Sequence, residues 1–284
     1  MHLNPVFLLT GIVLKNDYSI MKTLKLGFSP CPNDTFIFHA MTHSLIDTDG
    51  LLFETDITDV EELNRAAMSE LNDVTKLSFH AWLKLKEKYK LLRSGAALGF
   101  GCGPILVSKS GSLDKNHRIA VPGELTTAAL LLKIYLPDAA DLVYTRFDNI
   151  MPGIVSGEFD AGVIIHEGRF VYNDYGLNQV VDLGEWWETK TGMPIPLGCI
   201  AIKRSLGDKL TKSIERMIRE SVQYAFLHPD ESRGFIKQHA AEMNDDVINH
   251  HIKLYVNNYS VDLGNEGLEA VHVLETLASE KGII

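Results

Sequence analysis

The 284-residue chain is poor in the residues that announce their chemistry by spacing. It has three cysteines, Cys31, Cys102 and Cys199, far apart and with no CxxC pair. That excludes a disulfide framework and a zinc knot, and leaves free thiols in a reducing compartment. Eleven histidines form no HExxH or other metal spacing. No GKS or GKT follows a glycine-rich loop, so there is no P-loop. "GFGCGP" at 99–104 mimics a dinucleotide fingerprint, but Pro104 and a strand follow where a helix would have to open. Basic residues are outnumbered, 27 against 37, for a net charge of −10. An acidic surface repels phosphate backbones, so nucleic acid is not an expected partner. No apolar run reaches transmembrane length, so no membrane partner is expected either.

The longest such run, "PVFLLTGIVL" at 5–14, has ten residues. No Lys or Arg precedes it and no small-x-small cleavage site follows, so it lacks the form of a secretory signal. Met21 reads as a natural start that runs straight into a strand. Residues 1–20 are expected to be a non-essential N-terminal extension.

What remains is an ordinary globular balance, 45% apolar and 23% charged, enough to bury a core. Strand patterns at 24–29, 51–57, 73–79, 104–109, 118–123, 161–165 and 197–206 alternate with helical patterns at 35–44, 59–68, 126–136 and 148–157. After Gly207 only helices follow, near 208–227, 230–241, 245–257 and 265–281. Alternation of this kind predicts α/β units with parallel sheets. The spacing suggests a larger lobe of residues 21–105 plus 205–284 and a smaller lobe of 106–204. The chain would cross between them at 99–104 and 191–199. Two crossings make a hinged cleft, and ligands of open α/β sheets sit at strand carboxyl ends.

Four places could carry chemistry. "AGVIIHEGRF" ends a buried strand in His166, Glu167 and Arg169. An imidazole there reads equally as a general base and as a loop cap. Glu167 and Arg169 read first as a surface ion pair. "VPGELTTAALLL" turns at Gly123 into a helix whose first residues are Thr126, Thr127 and Ala128. Its free N–H groups suit a carboxylate or phosphate, and an ordinary threonine cap explains the same residues. "SPCPNDTF" offers Ser29, Asn33, Asp34 and Thr35 in a turn that can cap a helix at Asn33 or Asp34. "TKLSFHAW" puts Lys76, Leu77 and Ser78 at a strand end and His80 at a helix start. The pair His250–His251 reads as solvated helix surface, and Trp186 or Trp187 as a lobe-edge core residue.

Together, "LGFSPCPNDTFIFHA", "TKLSFHAW", "LRSGAALGFGCGP", "VPGELTTAALLL", "AGVIIHEGRF" and "VVDLGEWWETKTGMPIPLG" resemble the 1,4-dihydroxy-6-naphthoate synthase family of the futalosine route to menaquinone. The resemblance runs from about Met21 to the carboxyl terminus. It implies a two-lobe fold of the type II periplasmic-binding-protein kind, used as a cytoplasmic carbon–carbon lyase that needs no cofactor and no metal. The implied partner is a small molecule, cyclic dehypoxanthinyl futalosine. Carried over residue by residue, the proton acceptor falls on His166. The substrate contacts fall on Lys76, Leu77 and Ser78 and on Thr127 and Ala128. Thr126, Ser29 and Asn33 join them as binding candidates. Two other readings share the fold: a secreted binding protein for a small carboxylate, and the chorismate dehydratase of the same route.

Overall fold

A computed structural model describes residues 22–114, 116–139, 141–240 and 244–284. The expected extension, residues 1–20, lies outside the described residues. Among the described residues, eleven strands form two sheets. In chain order they are β1 Thr23–Phe28, β2 Leu52–Ile57, β3 Val74–Ser78, β4 Tyr89–Leu91, β5 Ala97–Gly99, β6 Ile105–Ser108, β7 Arg118–Val121, β8 Asp141–Tyr144, β9 Ala161–Ile164, β10 Asn178–Asp182 and β11 Ile195–Lys203. The first sheet runs β2-β1-β3-β11-β4, with β5 also paired to β11. The second runs β10-β6-β9-β7-β8.

The sheets are mixed rather than parallel throughout. Pairs joined through a crossover helix are parallel: β1 with β2 and β3, and β7 with β8 and β9. The strands on which the chain passes between sheets run the other way. β11 is antiparallel to β3, β4 and β5, and β6 to β9 and β10. A strand returning from the other lobe enters its sheet from the cleft end, which reverses its direction. For the same reason β11 hydrogen-bonds into the first sheet, although the boundary read near residue 204 had grouped it with the second.

Period-two alternation decides what each strand shows to the site. On β3, Val74 packs with Leu26, Phe28 and Ile200 beneath the helices Pro32–Thr42 and Gly207–Leu227. Lys76 and Ser78 share that face farther along. Leu77, between them, enters the opposite core with Phe79 and Trp187. Helix Pro32–Thr42 starts one turn earlier than its pattern suggests. Pro32 takes the first helical position, Cys31 is the N-cap, and Asn33 and Asp34 sit inside the first turn instead of capping it. The C-terminal helix Asp245–Tyr255 presents Ile248, His251 and Tyr255 inward.

The crossing at 103 is close-packed backbone to backbone. A Cβ added at Gly103 would collide with the main chain of Gly184. Neither side can retreat, because Asp182 caps the helix Leu183–Thr191 there through Gly184 and Glu185. Gly103→Ala therefore lowers stability by about 1–3 kcal/mol, the usual cost of overpacking. A reduced urea midpoint with an unchanged denaturant slope would show it.

Candidate functional site

Between the sheets lies a cavity, partly open to solvent, with about 660 Å³ of space when its open mouth is included. The first lobe contributes Ser29, Asn33, Asp34, Lys76 and Ser78. The second contributes Thr126, Thr127, Ala128, Ile165 and His166. Cys102 and Gly103 line it from one crossing, Leu197 and Gly198 from β11, and Tyr255 from the C-terminal helices.

Its floor is an ion pair. Lys76 is 5% exposed and Asp34 fully buried. Lys76 Nζ donates to Asp34 Oδ1 at 2.5 Å. The carboxylate is then saturated. Asn33 Nδ2 donates to Oδ1 at 2.8 Å, and Ser29 donates to Oδ2 from both its backbone N (3.1 Å) and its Oγ (2.6 Å). Two buried charges are tolerated only with this degree of pairing. Room for the lysine stem comes from across the sheet, since a Cβ at Gly198 would lie 2.9 Å from Lys76 Cε. Ser78 is held by Asn64, which donates from Nδ2 to Ser78 Oγ at 3.0 Å and accepts from Ser78 N at 2.9 Å. The Ser78 hydroxyl proton stays available to a ligand.

The opposite wall is the start of helix Thr127–Tyr135. Thr126 is spent on capping: its Oγ donates to Gly123 O and accepts from Ala129 N. Thr127 Oγ donates to Leu197 O at 2.6 Å. First-turn amides of a helix have no intrahelical acceptor, and Thr127 and Ala128 both line the cavity. The turn before this helix is tied to the other lobe by Glu61. That carboxylate accepts from Glu124 N at 3.2 Å and Leu125 N at 3.0 Å. His80 adds a second tie, its Nδ1–H donating to Thr126 O at 3.2 Å, while its buried Nε2 has no partner among the described residues.

His166 stands just beyond β9 with φ +55°, a left-handed conformation that a non-glycine residue adopts only under constraint. Cys31 Sγ lies 3.5 Å from its Nδ1 and 3.8 Å from its Nε2. Phe147 meets its ring edge-on. Burial, reinforced by Glu167, pushes the Cys31 thiol far above its ordinary range, so it stands beside the imidazole as a neutral thiol. Arg169 does not form a surface pair with Glu167. It reaches back to the crossing, donating to Gly103 O at 2.5 Å and to Asp182 Oδ2 at 2.6 Å. The segment that carries His166 is thereby fastened to the hinge.

Of the residues singled out in the sequence, Ser29, Asn33, Lys76, Ser78, Thr126, Thr127, Ala128 and His166 converge on this one cavity. Leu77 does not; its side chain is core on the far face of β3. The expectation for His251 is overturned. It is 1% exposed and donates from Nε2 to Asn33 Oδ1 at 2.9 Å, whereas His250 is solvated. The i, i+3, i+7 spacing of Ile248, His251 and Tyr255 was the available signal. Trp187 is buried and Trp186 partly so. Asp34 is the other residue that sequence reasoning underrated, as a turn residue.

Two measurements follow from this geometry. Asp34→Ala leaves the Lys76 ammonium buried and unpaired, and lowers stability by about 3–5 kcal/mol in equilibrium unfolding. The second concerns pH. Burial, then Lys84, holds the His80 imidazole at about 4, against an ordinary 6.5. Below 6.5 the unfolded chain binds a proton that folded His80 does not. Stability is thus untouched by this group above pH 6.5, and falls by about 2–3 kcal/mol as pH drops toward 4. His80→Asn flattens that part of the stability–pH curve.

Residues 24–280 match a protein family described as menaquinone biosynthesis. A 1,4-dihydroxy-6-naphthoate synthase of Thermus thermophilus is 46% identical over 93% of this chain and 96% of its own length. One of Streptomyces coelicolor is 39% identical over 92% and 95%. Among solved structures, an Archaeoglobus fulgidus protein superposes with a TM-score of 0.88 at 38% identity, covering 92% of this chain and 98% of that one. An alkanesulfonate-binding protein of Xanthomonas axonopodis superposes at 0.67 with 14% identity, covering 92% and 93%, and shares the fold alone. A Candida albicans protein described as having the generic periplasmic-binding-protein fold gives 0.66, also at 14% identity, covering 93% and 91%. With its two-lobe periplasmic-binding-protein fold and these relatives along nearly its whole length, the chain belongs to the menaquinone-biosynthesis family that includes the 1,4-dihydroxy-6-naphthoate synthases.

Proposed function

We propose that this protein is a carbon–carbon lyase that converts cyclic dehypoxanthinyl futalosine to 1,4-dihydroxy-6-naphthoate, with His166 as the base. The observation that carries the reading is an imidazole that shares one cavity with two groups suited to an anion. They are the Lys76 ammonium, paired with Asp34 on the floor, and the first-turn amides of Thr127 and Ala128 on the facing wall. Both favour an anion, one by charge and the other by the helix dipole. A substrate with a single carboxylate on an aromatic ring fits such groups without a cluster of lysines.

His166 acts as the base in this cavity. It removes a proton next to a carbonyl of the sugar-derived part. The electron pair left behind drives an elimination or retro-aldol-like fragmentation, and aromatisation of the naphthoate pulls the cleavage forward. Neither ring nitrogen of His166 has an oxygen partner among the described residues. The Cys31 thiol is the one polar group among the described residues within hydrogen-bonding distance of the ring, and it can engage one nitrogen while the other faces the substrate. The Ser78 hydroxyl and Asn33 supply hydrogen bonds to the oxygens of the bound molecule. No described helix is long and apolar enough to cross a membrane.

Turnover of cyclic dehypoxanthinyl futalosine, followed by release of the dihydroxynaphthoate, tests the proposal. Wild type forms product. His166→Ala keeps its fold and binds substrate, but loses about 10²–10⁴ in kcat, the contribution of a positioned base. Full turnover by His166→Ala sinks the base assignment. Absence of product from wild type, with tight binding of a small carboxylate, sinks the enzyme reading.

A further inference from the structure

His251 comes from the C-terminal helices, 218 residues from its partner, and does not line the cavity. It nevertheless touches both halves of the site. Its Nε2 lies 2.9 Å from Asn33 Oδ1. Its ring lies nearly parallel to that of His166, 17° apart with centroids at 6.2 Å. The amide of Asn33 can be turned two ways, and the network selects one. Asn33 Nδ2 is committed to Asp34 Oδ1, so its carbonyl oxygen faces His251, and His251 must be the donor. With Nε2 protonated, Nδ1 is a bare lone pair, and it is buried with no partner among the described residues. An unpaired buried acceptor is costly. A purely structural aromatic would be better served by phenylalanine here.

We propose that His251 is a positioning residue of the cleft: its Nε2–H locks the Asn33 amide, and through it Asp34 and the Lys76 ammonium, while its ring backs His166. Were Asn33 to turn over, its oxygen would face the Asp34 carboxylate, and Lys76 would lose the geometry that aims it into the cavity. The locking works only if Nε2 carries the ring proton. Groups from several elements surround the ring. They are His166 from the second lobe, Lys76 from β3, Asn33 and Asp34 from helix Pro32–Thr42, and Tyr255 from its own helix, whose ring is 4.6 Å away. Burial first, then the nearness of His166 and Lys76, keeps the imidazole well below its ordinary range.

The kinetic arm of the test rests on the function proposed above; the spectroscopic arm does not. Two variants separate positioning from packing. His251→Gln retains an N–H donor for Asn33, whereas His251→Phe retains the ring and removes the donor. Positioning predicts a KM for cyclic dehypoxanthinyl futalosine about tenfold higher in His251→Phe, the factor carried by one buried hydrogen bond. In His251→Gln the KM stays within about threefold of wild type, and kcat moves less than KM in both. Independently of turnover, the slowly exchanging ammonium proton signal of Lys76, assigned by its disappearance in Lys76→Met, persists in His251→Gln and is lost in His251→Phe. The thermal midpoint of His251→Phe is no lower than that of His251→Gln. The proposal is overturned if His251→Phe keeps both the wild-type KM and the Lys76 signal. It is equally overturned if the two variants lose them alike. If wild type turns nothing over, the function reading fails and the lysine signal alone decides this one. If a variant does not fold, the long-range ¹H–¹⁵N spectrum of wild type decides. It must show His251 protonated on Nε2, and a ring bare on Nε2 refutes the assignment.

Discussion

The buried pair of Lys76 and Asp34 is the constraint to which the rest of the cleft answers. Removing an ammonium and a carboxylate from water costs several kcal/mol per ion, and their attraction repays it only when every remaining lone pair is used. That requirement dictates the neighbours. The end of β1 must deliver Ser29, both backbone and hydroxyl, to one carboxylate oxygen. The first turn of the next helix must deliver Asn33 to the other, and Asn33 in turn needs a donor from outside the lobe's own α/β unit. β11 must be bare at Gly198 where the lysine stem passes. The proline-bounded turn "PCPND" makes sense on these terms. Pro32 starts the helix early, so that Asp34 lies within its first turn, where a negative charge is also favoured by the helix dipole.

A charge held in this way is prepaid. Under the proposed function an incoming anion would meet Lys76 already desolvated and already oriented, the circumstance in which electrostatics in an enclosed site are strongest. The other wall is prepared by different means. The helix start at Thr127 is held by Thr126 within its own lobe, by Leu197 on β11, and by Glu61 and His80 reaching from the first lobe. His166 is held by backbone constraint and by Arg169, which fastens the following turn to Gly103 and Asp182 at the crossing. The polar groups of the cleft are thus anchored in part by residues of other elements, Glu61, His80 and Asp182 among them.

Several of these residues were legible in the sequence because their signals are local. A buried run ending in "HEGRF", a glycine turn into "TTAA", and a strand ending in "KLS" each describe a place where a regular element stops. The two-lobe fold followed from alternating strands and helices with an all-helical end. The antiparallel entry of β11 did not follow, because direction in a sheet depends on which lobe the chain is returning from. Leu77 stands beside two cavity residues in sequence and across the sheet from them in space; alternation alone separates them.

The sequence by itself determined the elements, their order, and which residue types stand at their ends, since these depend on periodicity, capping and turn chemistry within a few residues. The tertiary structure decided what those residues do. Asp34 and Lys76 are 42 positions apart, and His251 is 218 from Asn33. Read locally, Asp34 is a turn residue, Arg169 one half of a surface pair, and His251 a polar position on a helix. Burial changes each role, because in a low-dielectric interior a polar atom must find its partner wherever the fold brings one. Contacts of that kind are fixed by the packing of distant segments, which no short stretch of chain contains.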